Sequence, residues 1–429
     1  MGRISRRNGK LPEKKSVEKG DDFMKRHASP GAVGKVMVLL FAITCFGGEN
    51  KASEWKPLFD GKTLSGWKQL GGKAIYKAQD GAIAGTSVEG TPNSFLCTEQ
   101  DYGDFVLEFE VNVDERLNSG VQIRSQSIKE YKNGRVHGYQ VEIDPSNRAW
   151  SGGIYDEGRR GWLADMNDNE AARKAFKNGQ WNHFRVEAVG DSIKTWVNDV
   201  PAADLVDSMT LTGFIGLQVH SSKSGEPLTV KWRNIRIKDL GEHVWKPLFD
   251  GRSLKGWHAL PGGKWEVKDG AVVGSSPKEE KLHGLLVSDE VFKDFTIRMK
   301  FKAVRGNSGF YFRSEEVGGN YGVSGFQAEI DPNKDVGGLY ETSGRAWVVK
   351  PKAEEVKKWM KPQEWNEMTV SAHGRRIAVH VNGYKTAEVK DDPGRLEGKL
   401  AFQLHGGQDM LVMFKDIEML MPKEKSKKQ

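Results

Sequence analysis

The sequence predicts an all-β protein made of two tandem β-sandwiches. Three observations predict it. Fifty glycines in 429 residues mark frequent turns, and thirteen tryptophans supply the broad aromatic surfaces that strands favour. Apolar and polar residues alternate in run after run, the period of a half-buried strand. The stretch Trp55-Lys56-Pro57-Leu58-Phe59-Asp60-Gly61-Lys62-Thr63-Leu64-Ser65-Gly66-Trp67 returns as Trp245-Lys246-Pro247-Leu248-Phe249-Asp250-Gly251-Arg252-Ser253-Leu254-Lys255-Gly256-Trp257. Two apolar runs, an Asp-Gly turn and a tryptophan at each end do not recur in one order by chance. The chain is therefore a tandem duplication, and each motif can be compared with its twin.

Residues 1–52 read as an extension carrying a signal peptide. The apolar run Val36–Phe46 follows Lys25, Arg26 and Lys35 and precedes small and polar residues. It is short for a membrane span, and Met24 makes a more natural start than Met1. The expectation is export to the periplasm or beyond. Ala42-Ile43-Thr44-Cys45 loosely resembles a lipoprotein cleavage box, so an N-terminal anchor is the one membrane attachment in view. The first sandwich spans 53–240, the second 243–421, and 422–429 form a basic tail. So short a link should hold the two in contact.

Within the first copy Phe105, Leu107, Phe109 and Val111 alternate with Val106, Glu108 and Glu110; Phe295, Ile297, Met299 and Phe301 repeat the pattern. Period two assigns half-buried antiparallel strands. Trp181–Glu187 and Ile193–Asn198 read as a hairpin turning at Gly190-Asp191. One helical piece stands out in each copy, Glu170–Lys177 and Ala353–Met360.

The net charge of +7 is carried by the ends: residues 1–50 hold about +5 and Met421–Gln429 about +3, leaving the body near −1. A nucleic-acid partner would require that charge on a folded face, so it is excluded as an expectation. Cys97 aligns with Val287, which reads as a small core hydrophobe.

The chemistry is concentrated on three strands. In Asn118-Ser119-Gly120-Val121-Gln122-Ile123-Arg124 the apolar residues face the core, and Gln122 and Arg124 face away. Gly138-Tyr139-Gln140-Val141-Glu142-Ile143-Asp144 puts Gln140, Glu142 and Asp144 on one face. Gly216-Leu217-Gln218-Val219-His220 does the same for Gln218 and His220. The second copy repeats the set with Arg313, Gln327, Glu329, Asp331, Gln403 and His405. Tyr155, Arg160 and Trp162 lie nearby, with Tyr340, Arg345 and Trp347 as twins. Aromatics beside a polar groove suit sugars, whose apolar faces stack while their hydroxyls bond to Arg, Asp and Gln. Shared ancestry alone is the competing account, with Arg124–Glu142 an ordinary cross-strand pair. The Glu, Asp and His types also admit a divalent ion, though their spacing is not diagnostic.

Together, Trp-Lys-Pro-Leu-Phe-Asp-Gly-x-x-Leu-x-Gly-Trp, Asn-Ser-Gly-x-x-x-Arg, Gln-x-Glu-Ile-Asp and Gly-x-Ile-Gly-Leu-Gln-x-His resemble the 3-keto-disaccharide hydrolase family, also catalogued as domain of unknown function 1080. The resemblance covers nearly all of 53–421. It implies concanavalin A-like jelly-roll sandwiches, usually exported, that cleave glycosides already oxidised at C3. In such chemistry a base takes the C2 proton, an enolate forms, the C1 substituent leaves and water adds. The resemblance leaves His220 or Glu142 as base, Arg124 or a bound metal for the oxyanion, and Asp144 or Tyr155 as acid. Gln140, Gln218, Arg160 and Trp162 are expected to bind the sugar, as are Arg313, Gln327, Glu329, Asp331, Tyr340, Gln403 and His405 in the second copy. The second copy departs from the motif at Lys399-Leu400-Ala401 and carries Ser324 where the first has His137. A non-catalytic, lectin-like carbohydrate-binding protein is the alternative.

Overall fold

Alternation such as that of Phe105–Val111 leaves each strand with one apolar face, and a sheet of such strands buries that face against a second sheet. The computed structural model, which describes residues 54–331 and 333–424, does this twice. In the first sandwich one sheet runs, in spatial order, Val200–Val206, Ser192–Val197, Asn182–Val189, Asp104–Val113, Thr229–Gly241, Ala82–Thr86 and Ile75–Gln79. The other runs Gly161–Ala164, Ile154–Glu157, His137–Ile143, Ser119–Gln126, Phe214–Val219, Ser94–Thr98 and Trp67–Gly71. The second sandwich repeats both sheets, and every pairing is antiparallel. The repeated motif opens each copy with a strand that pairs with that copy's own last strand: Trp55–Pro57 on Arg236–Lys238, and His243–Pro247 on Glu418–Pro422.

The cores are the alternating residues. Phe105, Leu107, Phe109 and Val111 meet Val121, Ile123, Val141 and Leu217 in the first copy. Phe295, Ile297, Met299 and Phe301 meet Phe310, Phe312, Ala328 and Phe402 in the second. Full burial of each large apolar side chain is worth about 1.5–3 kcal/mol. Cys97 is buried, but not in the main core. It sits with Phe95, Val136 and Phe214 in a satellite cluster, on the face that Gln218 shares.

The two helical pieces are shorter than expected, Glu170–Arg173 and Ala353–Trp359. Asparagine side chains take over where each stops. Asn182 binds the backbone N–H and carbonyl of Lys177 at 2.7 and 2.9 Å, and Asn366 binds those of Lys361 at 2.8 Å each. Among the described residues no helix is long and apolar enough to cross a membrane. The run read as a signal peptide and the last five residues of the basic tail lie outside the described residues.

One residue, Glu242, separates the last strand of the first sandwich from the first strand of the second. The sandwiches meet through polar contacts. Asp191 accepts from Thr296 Oγ1 at 2.7 Å, Asp204 pairs with Arg376 at 2.6 Å, and Asp104 bonds His243 Nδ1 at 2.5 Å. On the outer face of the second copy's larger sheet, Thr296, Thr369, Ser371 and Ala378 are buried. Strand register gives these positions Val106, Arg185, Glu187 and Lys194 as first-copy twins.

Candidate functional site

The site is built on the outward face of the first copy's seven-stranded sheet, where Gly120 is flanked by Glu142 on one neighbouring strand and Gln218 on the other. A Cβ at Gly120 would fall 2.5 Å from the Gln140 side chain. Glycine there lets Gln140 lie across the strand. Gln140 Oε1 accepts from Gln122 at 2.6 Å and from Gln218 at 2.8 Å, and its Nε2 donates to Glu142 Oε2 at 2.9 Å. Glu142 Oε1 accepts from Asn118 Nδ2 at 2.7 Å and from Arg148 Nη2 at 2.9 Å. Gln218 Oε1 is buried with no partner, an acceptor left open in an otherwise satisfied network.

Arg148 also donates to Asp144 Oδ2 at 2.7 Å, so one guanidinium bridges both carboxylates. Burial raises the Glu142 carboxyl above its usual range, against the hydrogen bonds of Asn118 and Gln140 and the charge of Arg148. Burial also opposes ionisation of Asp144, but bonds from Ser146, Arg148 and the Trp150 N–H override it and hold this carboxyl below its usual range. Asp144 is thereby held as a partner of Arg148, Ser146 and the Trp150 N–H. The Arg148 guanidinium lies over the Trp150 and Trp162 rings at 5.0 and 4.9 Å, and Tyr155 packs edge-on to Trp162 at 5.2 Å.

His220 Nδ1 lies 2.8 Å from the Ser221 carbonyl. A carbonyl only accepts, so Nδ1 donates there, and Nε2 is the ring nitrogen left to accept a proton. His220, Tyr155, Trp162, Gln140, Glu142, Asp144 and Gln218 all line one cavity of about 570 Å³, with Arg148, Arg116, Arg135, Glu157 and Asn93. Alternation suggested exposed polar faces, and the structure corrects this. Gln140, Glu142, Asp144 and Gln218 are 0–3% exposed, lying at the base of the cavity.

Two expected members are elsewhere. Arg124 is fully buried and turned away, donating to the Gly103 and Gly190 carbonyls at 2.7 and 2.6 Å and pairing with Asp104 at 3.1 Å. The cause is a bulge between Ile123 and Gln126, with Arg124 at φ 45°, which ends the period-two register. The Arg124–Glu142 pair does not form. Arg313 repeats this, with φ 47° and bonds to the Lys293 and Gly374 carbonyls. Arg160 lies at the junction of the sandwiches instead, bound to Asp156, to Asp207 and, at 2.8 Å, to the Gly383 carbonyl. Alternation also passed over Arg148 and Trp150, which stand in a loop where the second copy has neither an arginine nor a tryptophan. Asn118 was inside a quoted motif, but its partner became visible only in three dimensions.

The second face keeps part of this arrangement. Asn307 donates to Glu329 at 2.6 Å, Gln327 to Glu329 at 3.0 Å and to Gln403 at 3.2 Å, and His405 Nδ1 to the Gly406 carbonyl at 2.8 Å. Tyr340 packs on Trp347 at 5.2 Å. Asp331 accepts from the Asn333 N–H at 2.9 Å. The segment from Asp331 to Gly337 is two residues shorter than its twin from Asp144 to Gly152 and holds no arginine. Tyr311 replaces Gln122 and His283 replaces Asn93, and both engage Gln403 Nε2, at 3.1 and 2.9 Å. The His283 ring lies 4.4 Å from that of His405, and burial together with that neighbour lowers its pKa to about 4. Burial raises Glu329 to about 7.

Among the described residues no group of three or more His, Cys, Asp or Glu side chains is placed to hold a metal ion, and in the first site Arg148 occupies the space between the carboxylates.

A family model described as a 3-keto-alpha-glucoside-1,2-lyase-like domain matches residues 54–238 and again 244–420. No curated protein matches the chain. Among solved structures, a candidate glycosyl hydrolase from Parabacteroides distasonis is 23% identical over 41% of this chain and 92% of its own, with a TM-score of 0.32. The carbohydrate-binding module CBM66 from Bacillus subtilis is 18% identical over 38% and 93%, with a TM-score of 0.30. A galectin-like protein of unknown function from Bacillus subtilis is 14% identical over 42% and 100%, with a TM-score of 0.32.

Proposed function

Because the chain belongs to the 3-keto-alpha-glucoside-1,2-lyase-like family, we propose that its first sandwich cleaves glycosides already oxidised at C3. The observation that carries this reading is the company His220 keeps: an imidazole with a free Nε2 lone pair lines the same cavity as a carboxylate-anchored arginine and an aromatic wall. The ketone acidifies the C2 proton. His220 Nε2 takes that proton, and the electron pair moves into C2–C3 to leave an enolate oxygen at C3. Arg148, held by Glu142 and Asp144, supplies the cation for that oxygen in place of Arg124. The C1–O bond then breaks, and the imidazolium returns the proton to the departing oxygen, with the Tyr155 hydroxyl as a second donor. Water adding across C1=C2 completes hydrolysis. Glu142 acts as a positioning residue for Arg148, and Trp162 and Tyr155 pack the sugar ring.

The test is turnover of a 3-keto-glucoside and of the unoxidised disaccharide by the purified chain. The expected result is cleavage of the first alone, reduced about 10²–10⁴-fold in His220→Ala, the range for loss of a general base. Equal cleavage of both compounds, or wild-type rates in His220→Ala, overturns it. Sugar binding without any turnover would favour the lectin-like alternative.

Export belongs to the same proposal, supported by Lys25, Arg26 and the run Val36–Phe46. Mass spectrometry of the mature protein should find a terminus beyond this run; an intact Met1 or Met24 terminus refutes it.

A further inference from the structure

The repeated Trp-to-Trp motif is not used by the site above, and its two copies differ. In the first, Trp67 is 7% exposed and its indole N–H donates to the Leu58 carbonyl at 2.9 Å. In the second, Trp257 is half-buried and stacks on Phe402 at 5.4 Å. No protein acceptor meets its indole N–H among the described residues. Phe402 occupies the position of Leu217, and the larger ring beneath leaves Trp257 standing further out. Tyr102, 9% exposed, is likewise replaced by the half-buried Phe292, beside Val291 at 60% exposure. A cleft of about 680 Å³ opens here, floored by Leu248, Trp257 and Phe292 and rimmed by Lys255, Asp289 and Glu290.

We propose that this cleft is a second, non-catalytic sugar-binding site, specific for neutral gluco-oligosaccharides; the choice of ligand class rests on the glycoside reading of the first sandwich. An aromatic floor matches the C–H face of a pyranose. The unmet indole N–H and the Lys255 ammonium donate to hydroxyls, and the Glu290 carboxylate, which pairs with no cation among the described residues, accepts from them. One cation, Lys255, against three carboxylates, Asp250, Asp289 and Glu290, gives no surplus positive charge for a sulfated or uronic sugar. The first copy closes the same place with its Trp67–Leu58 bond, so the cleft belongs to the second sandwich.

Calorimetric titration of the full chain with a neutral gluco-hexasaccharide tests this. Two binding events are expected. Lys255→Ala with Glu290→Ala, both exposed positions that leave the core intact, should weaken one event roughly tenfold, and Trp257→Ala should abolish it, as for an aromatic anchor at a binding centre. Turnover of a small 3-keto-glucoside should stay within about twofold of wild type in the Lys255→Ala, Glu290→Ala chain. Unchanged hexasaccharide binding in all these variants overturns the proposal, as does loss of all binding in Glu142→Ala alone. A Trp257-dependent dimer in sedimentation, with no sugar bound, also overturns it. Binding that depends on Trp257 in a chain inert toward every 3-keto-glucoside would refute the catalytic reading of the first sandwich and leave this one standing.

Discussion

The two sandwiches share strand order, cores and a polar sheet face, yet the same face is finished in opposite ways. In the first, Arg148 clamps Glu142 and Asp144, and one buried acceptor, Gln218 Oε1, is left without a partner. In the second, the arginine is missing, and Tyr311 and His283 saturate the glutamine network from both sides. One face holds a polar network open toward a cavity, and the other closes it on itself. Residues kept in both copies, His220 and Glu142 among them, therefore do not distinguish the two faces; Arg148, found only in the first, does.

The most direct way to break this comparison is to strike the same histidine twice. His220→Ala should lower turnover of a 3-keto-glucoside about 10²–10⁴-fold, while His405→Ala should leave it at wild type. Comparable losses in both, measured as kcat/KM, would mean that the second face also reacts. Next in size is the residue without a twin. Arg148→Ala should cost about 10²–10³ in kcat, the range for loss of one oxyanion donor. It should also push the Glu142 carboxyl further up in an NMR titration, because the cation no longer holds it down.

How far the sequence reached follows the same division. Alternation placed Gln140, Glu142, Gln218 and His220 together because burial of Val141, Ile143, Leu217 and Val219 fixes strand phase. Phase is lost at a bulge, and nothing in Ile123-Arg124-Ser125 announces that Arg124 adopts φ 45°. A comparison of copies that attends to what is kept cannot notice Arg148. Arg160 was misplaced because its partner Asp207 is distant in sequence. The junction itself left a legible trace: where the first copy has Arg185, Glu187 and Lys194 on an outer face, the second has Thr369, Ser371 and Ala378.

The displaced arginines sharpen the comparison in stability. Arg124 and Asp104 are 0% and 5% exposed, so Arg124→Met should cost about 3–5 kcal/mol, the range for breaking a buried pair. Arg313 faces an Asp294 that is 47% exposed at 3.6 Å, and Arg313→Met should cost less in the same denaturant titration. Equal losses would mean that the carbonyl contacts, and not the carboxylate, set the stability of both.

The smallest effect is a slope. Glu329 titrates at about 7 in the fold against an ordinary 4.5, so the fold holds the extra proton between those values. Its contribution is full below about pH 4.5 and is lost as pH rises through 7, by at most about 1.4 kcal/mol per pH unit. Glu329→Gln should remove that decline in thermal unfolding scans. His283, lowered to about 4, acts in the other direction, with stability lost as pH falls from 6.5 toward 4. His283→Asn, which restores the residue of the first copy, should flatten that acid side.

The junction also bears on how such a chain can evolve. A repeat joined by a long tether can lose one unit and survive. Here Glu242 is the whole tether, and the faces it joins have been rewritten for each other. Cutting away the second copy would strip Asp104, Asp191 and Asp204 of His243, Thr296 and Arg376; cutting away the first would bare the uncharged patch around Thr369 and Ser371. Duplication began as redundancy, but these substitutions act as a ratchet. Each half therefore covers polar groups of the other, even if only one of them ever meets a reactive bond.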